Sequence, residues 1–203
     1  MIAIITGDII NSEEHKASEW IDILKKQLSK WGETPVKWEI YRGDEFQLKV
    51  APKKALWAAL QIKAAIKSVK DLDVRMAIGV GSENFQSSSV SESNGTAYQR
   101  SGRTFETLKE EKLNLAIATG NRKEDQSLNL MIRLALDFMD EWTSVSAEII
   151  AIALANPKLS QQEIAKQLHV QQSAISQRQK RANLDLVLKL LEYYPQTVKR
   201  MKP

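Results

Sequence analysis

Two groups of residues in this chain are of types that could do chemistry. The first is acidic: Asp8, which closes an apolar run, and the adjacent Asp44 and Glu45 in the segment RGDEF. Carboxylates drawn to one place repel each other, so they need a cation or a raised pKa. Hard oxygen ligands of this kind suit magnesium or manganese, with a substrate's phosphates completing the shell. A nucleotide and metal site on Asp8, Asp44 and Glu45 is therefore expected. The second group is the run 171–181, which carries Gln171, Gln172, Ser173, Ser176 and Gln177 followed by Arg178, Lys180 and Arg181. Gln and Arg can bond two groups on a base edge at once, Ser donates to phosphates, and the basic end supplies salt-sensitive phosphate attraction. That is the composition of a reader of double-stranded DNA.

The elements around the second group suit that task. Ser160 with Glu163 three residues later predicts a capping box and a helix that buries Ile164, Ala165 and Leu168. A tight turn is expected at His169, a residue that tolerates left-handed backbone better than most. Val170 should plug that turn, Ser173 should cap a second helix, and Ile175 should anchor it. The spacing is that of a helix-turn-helix, with Ala165 where two steeply crossed helices leave room for little more than a methyl group. A helical hairpin that binds protein would carry part of the same pattern.

The acidic group falls in a first part of mixed character. Residues 1–10 read as a central strand ending near Asp8, and 18–31 as a helix with Trp20, Ile23, Leu24, Leu28 and Trp31 on one face. Residues 36–41 alternate as a half-buried strand and return through Phe46, Leu48 and Val50, which makes a hairpin with Asp44 and Glu45 at its tip. Pro52 opens a long helix to about 69. Residues 73–81 form another strand, in which Gly79 and Gly81 allow something to approach the backbone closely. A Ser-rich mobile loop over 82–93, a polar helix over 96–112 and a strand over 113–119 complete an α+β sandwich with helices on one face of the sheet.

Residues 120–126 read as a polar linker, and all that follows as helical. The helix over 130–142 is too apolar for a solvated connector and suits a dimer contact, since helix-turn-helix proteins usually bind paired half-sites. Residues 146–155 should begin the DNA-binding unit, and a last apolar helix should end near Pro195. The expected division is 1–125, a connecting helix over 126–143, and 144–203.

Bulk properties narrow the classes. The 203 residues contain no cysteine and two histidines, which excludes disulfide frameworks and thiolate chemistry and disfavours a histidine-built metal site. The N-terminal apolar run has no basic leader and meets Asp8, and no apolar stretch is long enough to span a bilayer, so a cytoplasmic protein without a membrane partner is expected. The formal net charge of +4 is unevenly spread: residues 156–203 hold nine Lys/Arg against three Asp/Glu, and the rest is near −2. The basic excess lies with the DNA reader.

The segments ITGDII and RGDEF resemble the palm-like catalytic domain of class III nucleotidyl cyclases and of diguanylate cyclases of the GGDEF type. That resemblance implies metal binding by Asp8 and Asp44. The segment GTAYQRSGRTFETL looks like the cyclase helix in which an amide and an Arg stabilise the phosphoryl-transfer transition state; by it Gln99 takes the amide place and Arg103 the guanidinium place. A chain beginning MIAIITGDIINS and ending in a helix-turn-helix is similar to the SatD family over nearly its full length. The resemblances imply a ferredoxin-like or palm-type N-terminal domain followed by an all-α helix-turn-helix domain. They suit a homodimeric transcriptional regulator whose first domain senses a nucleotide with Mg2+ or Mn2+. The alternatives are a metal-dependent nucleotidyl cyclase or small nucleotide polymerase with a helical targeting tail, and an adaptor that docks proteins.

Overall fold

A computed structural model describes residues 1–201. Along β1 (Ile2–Ile10), Ala3, Ile5 and Ile9 alternate with Ile4 and Thr6, and both sets are buried. A strand buried on both faces must lie inside a sheet with a layer on each side. β1 pairs antiparallel with β3 (Glu45–Val50) and with β4 (Asp73–Gly81), β2 (Trp38–Tyr41) pairs antiparallel with β3, and β5 (Leu115–Ala118) lies parallel to β4. The order is β2-β3-β1-β4-β5. The class is α+β, with a five-stranded mixed sheet.

Ala3, Ile5 and Ile9 pack under α1 (Ile21–Leu28) and α2 (Ala55–Lys67), while Ile4 meets Ala97 and Tyr98 of α3 (Thr96–Glu111) on the opposite face. The expectation of helices on a single face is thus corrected. A parallel step from β4 to β5 needs a crossover, and α3 supplies it on the side left open by the other two helices. Gly79 and Gly81 are what let it lie close: a Cβ at Gly79 would sit 2.2 Å from the Ala97 carbonyl oxygen, and one at Gly81 2.3 Å from Thr96 Oγ1. The Ser-rich segment folds over the β2 side of the sheet. Val90 is buried with its N–H donating to the Pro35 carbonyl at 2.9 Å, and the Ser91 N–H donates to Glu39 at 3.1 Å.

The expected linker over 120–126 is instead the first turn of α4 (Arg122–Met139), capped by Asn121, whose side chain accepts from the Lys123 and Glu124 N–H groups. Arg122, Lys123 and Gln126 are exposed and Asp125 accepts from the Thr119 N–H and hydroxyl, so no apolar residue marked the turn in the sequence. One turn on, Asn129 closes the β5 edge as a neighbouring strand would, donating to the Ile117 carbonyl and accepting from the Ile117 N–H, both at 2.8 Å. Helices α5 (Ser144–Ala155), α6 (Gln161–Gln167), α7 (Gln172–Arg181) and α8 (Leu184–Arg200) follow. The expected stop at Pro195 does not occur. Proline's fixed φ is helical, and the buried Tyr194, Thr197 and Val198 hold the last turns in place against the lost bond to residue 191 and the crowding of its carbonyl.

α2 is buried around nearly its whole girth, by the sheet on one side and by helices of the second part on the other. Gln61 of α2 donates to the Leu154 carbonyl at 2.9 Å, and Tyr194 of α8 donates to the Pro52 carbonyl at 2.8 Å. Lys63, with no exposed side chain, lies 2.9 Å from Asp73 and 2.6 Å from Asp140, and Lys67 lies 3.0 Å from Asp73. One apolar core therefore runs from the sheet through α2 into α4, α5 and α8.

Candidate functional site

The entry to α6 is built by Ser160 and Glu163. The Ser160 hydroxyl accepts from the Glu163 N–H at 3.3 Å and the Glu163 carboxylate accepts from the Ser160 N–H at 2.8 Å, a complete capping box. The Ser160 hydroxyl also donates to that carboxylate at 2.7 Å, and this bond, followed by the one from the Ser160 N–H, holds the Glu163 carboxyl below its ordinary pKa. After α6 the chain turns at His169, whose φ of 52° is left-handed, and the Val170 N–H closes the turn on the Ala165 carbonyl at 3.0 Å. Ile149, Ile164, Ala165 and Ile175 form a small separate core beneath, with Leu159, Leu168 and Val170 packed on it. The expected second cap is displaced: Gln171 is the N-cap of α7, without a side-chain bond, and Ser173 lies exposed in the first turn. The Gln171 carbonyl takes the first helical bonds, from Ala174 at 3.0 Å and Ile175 at 3.4 Å, because Ile175 must reach the core directly below.

The outward face of α7 carries Gln171, Gln172, Ser173, Ser176, Gln177, Lys180 and Arg181, all exposed, with Arg178 half-buried. Among the described residues no carboxylate pairs with Arg178, Lys180 or Arg181. Sequence reasoning missed one member of this group, Gln161. The Gln172 amide donates to Gln161, and the Gln161 amide donates to Gln179 at 2.7 Å. Gln172 and Gln179 are seven residues apart on one helical face, which was the available signal.

The acidic group lies elsewhere, on the α3 side of the sheet. Asp8 stands opposite Glu45 of β3 and opposite Arg75 of β4. Arg75 Nε is 3.5 Å from Asp8 Oδ1, Lys109 Nζ of α3 is 3.3 Å from Glu45, and Asp44, in the hairpin turn, accepts from the Ser12 hydroxyl. Asp8 Oδ1 is itself buried without a hydrogen bond. Burial pushes the Asp8 carboxyl above its ordinary value against the pull of Arg75 and Lys109, and Asp44 and Glu45 add to the rise. Burial, then the charge of Glu45, pushes the Tyr41 hydroxyl up to about 12.

Gln99 and Arg103 do not join this cluster. The sheet-facing side of α3 is made by Ala97, Tyr98, Ser101, Phe105 and Leu108, which leaves Gln99 and Arg103 exposed on its outer side. The groups that do meet the acids, Arg75 and Lys109, were passed over. Arg75 shares a strand face with Ala77, and Lys109 follows Phe105 by one turn, its ammonium 4.4 Å from that ring. As these side chains sit, the donor set does not fit a divalent cation: among the described residues no three His, Asp or Glu groups converge, and each acid is answered by the protein's own cation or hydroxyl. Among the described residues no helix is long and apolar enough to cross a membrane.

Compared with known proteins, residues 1–193 match the model of the SatD family. No curated protein and no solved structure matches the chain.

Proposed function

The chain belongs to the SatD family, and from that premise we propose that it is a cytoplasmic, DNA-binding transcriptional regulator whose reader is α7. The observation that carries this reading is the outward face of α7: exposed amides and hydroxyls followed by cations with no internal carboxylate partner, on a helix crossed by α6 through a left-handed turn. A helix-turn-helix offers its second helix to the major groove in this way. The basic excess of residues 156–203 supplies the sequence-independent attraction.

The experiment is a fluorescence-anisotropy titration of the full chain against mixed-sequence duplex DNA over a range of salt concentrations, followed by selection from a random duplex library. Affinity should fall with salt, with a slope that flattens by about 0.9 per phosphate contact removed. Replacing Arg178, Lys180 and Arg181 together with Ala should weaken binding and flatten that slope. No binding at low salt, or binding indifferent to the three changes, overturns the reading.

In the first part, the succession β1-α1-β2-β3-α2-β4 with β1 between β3 and β4 supports a ferredoxin-like, palm-type reading. Asp8 and Glu45 stand side by side there, flanked by Arg75 and Lys109, a mixed-charge surface suited to a ligand that itself carries phosphates and hydrogen-bond donors. We read it as the sensing side, and control of α7 then requires a ligand that binds two arrangements with different affinity. A thermal-shift screen with each nucleoside triphosphate, with and without magnesium or manganese, tests this half. A second reading, a nucleotidyl cyclase or small nucleotide polymerase, rests on Asp8, Asp44 and Glu45 lying at one end of the sheet, and it needs those acids to leave Arg75, Ser12 and Lys109 before they could hold a metal. It requires product from a nucleoside triphosphate and metal, lost in Asp8→Ala and Asp44→Ala.

A further inference from the structure

We infer that a second copy of this chain docks on the joint face of α4 and α8, so that the reader helices work as a pair; this deepens the regulator reading and rests on it. On α4, Met131, Leu134 and Phe138 follow one another at helical spacing, and on α8 Leu186, Leu190 and Tyr193 do the same beside them. Leu134 is 66 % exposed, Leu186 46 % and Tyr193 37 %, and Leu130, one turn before Leu134, is 61 % exposed. Two adjacent apolar stripes at this spacing are half of a four-helix interface. An isolated surface helix has no use for them.

Charge identifies the occupant. The stripes are bordered by Arg133 and Asp137 on α4 and by Asp185, Lys189 and Glu192 on α8, all exposed. Among the described residues none of the five is paired within the chain. A rim that carries both signs can face itself about a two-fold axis, because the two cations of one copy, Arg133 and Lys189, can then meet two of the three acids of the other. The same rim offers no net attraction to DNA. The consequence for the reader is direct: α7 passes through Ala182 and the left-handed Asn183 into α8, and Trp142 at the end of α4 donates to the Ala182 carbonyl at 3.0 Å. Whatever holds two copies of α4 and α8 together also sets the separation of two α7 helices, which is what paired half-sites need.

Light scattering on the full chain tests the inference. The wild type should have twice the mass of the 23.0 kDa chain, and the double variant Leu134→Glu/Leu186→Glu should have the single mass with an unchanged circular-dichroism spectrum. Should the double variant fold poorly, Leu134→Gln alone, at the most exposed of these positions, should shift the dimer dissociation constant upward by at least tenfold. A wild type that stays monomeric at the highest soluble concentration overturns the inference, and so do variants that dimerise as the wild type does. A monomer that still binds mixed-sequence duplex sinks only the pairing, whereas a dimer that binds no DNA sinks only the regulator reading.

Discussion

At Asp8 burial outweighs two neighbouring cations, so the folded chain holds this proton more tightly than the unfolded chain does. The sign of the linkage follows. Stability falls as the pH rises from the unfolded carboxylate value of about 4 through the raised folded value, and the ionised form is a standing cost above it. Asp8→Asn should therefore melt higher than the wild type at neutral pH, with the difference closing as the pH is lowered toward 4. A variant that melts lower at neutral pH would show instead that the contact with Arg75 dominates. In the helical part, the Gln161 side-chain oxygen accepts from Gln172 and its NH2 group donates to Gln179. Gln161→Ala should leave the salt slope of DNA binding unchanged and broaden the set of duplexes selected from a random library, because it frees the side chain that would read a base edge without removing a phosphate contact.

The short α6 has seven residues and little helical stability of its own, so its cap matters more than it would on a long helix. Ser160→Ala should cost about 1 kcal/mol in chemical denaturation and lower affinity for DNA, since α6 is the brace against which α7 is set. The capping box was readable from Ser160 and Glu163 alone because it is local chemistry between residues three apart. The start of α7 was not. Ser173 has the better capping side chain, yet Ile175 had to reach a core assembled from Ile149, Ile164 and Ala165, and that requirement placed the cap at Gln171. The first turn of α4 was hidden for a related reason, its polar residues belonging to a helix whose apolar side begins only at Leu128.

Across the whole molecule, Lys63, Lys67, Asp73 and Asp140 join α2, β4 and the end of α4 in one ionic knot around the fully buried Lys63. Removing one partner of such a set leaves a charge uncompensated, whereas replacing the whole set by apolar side chains of similar volume is often near neutral. Asp73→Ala should destabilise by roughly 3–5 kcal/mol, toward the lower end because Asp140 still faces Lys63, and Lys63→Met should also destabilise, since Asp140 then loses its cation. Both should unfold in a single transition, since α2 belongs to the core of both parts. Two separate transitions would contradict that shared core.

Short-range patterns were legible from the residues alone: the apolar run of β1, the alternation along β2 and β3, the capping box, the turn at His169 and the row of Gln, Ser, Lys and Arg along α7. Each depends on neighbours a few positions apart, and backbone periodicity decides which way such side chains point. Only the folded chain decided that α3 covers the second face of the sheet, that Arg75 and Lys109 meet Asp8 and Glu45, and that Gln99 and Arg103 face away from them. Those outcomes depend on strand register and on the side taken by a crossover, which are settled by packing between segments far apart in the chain.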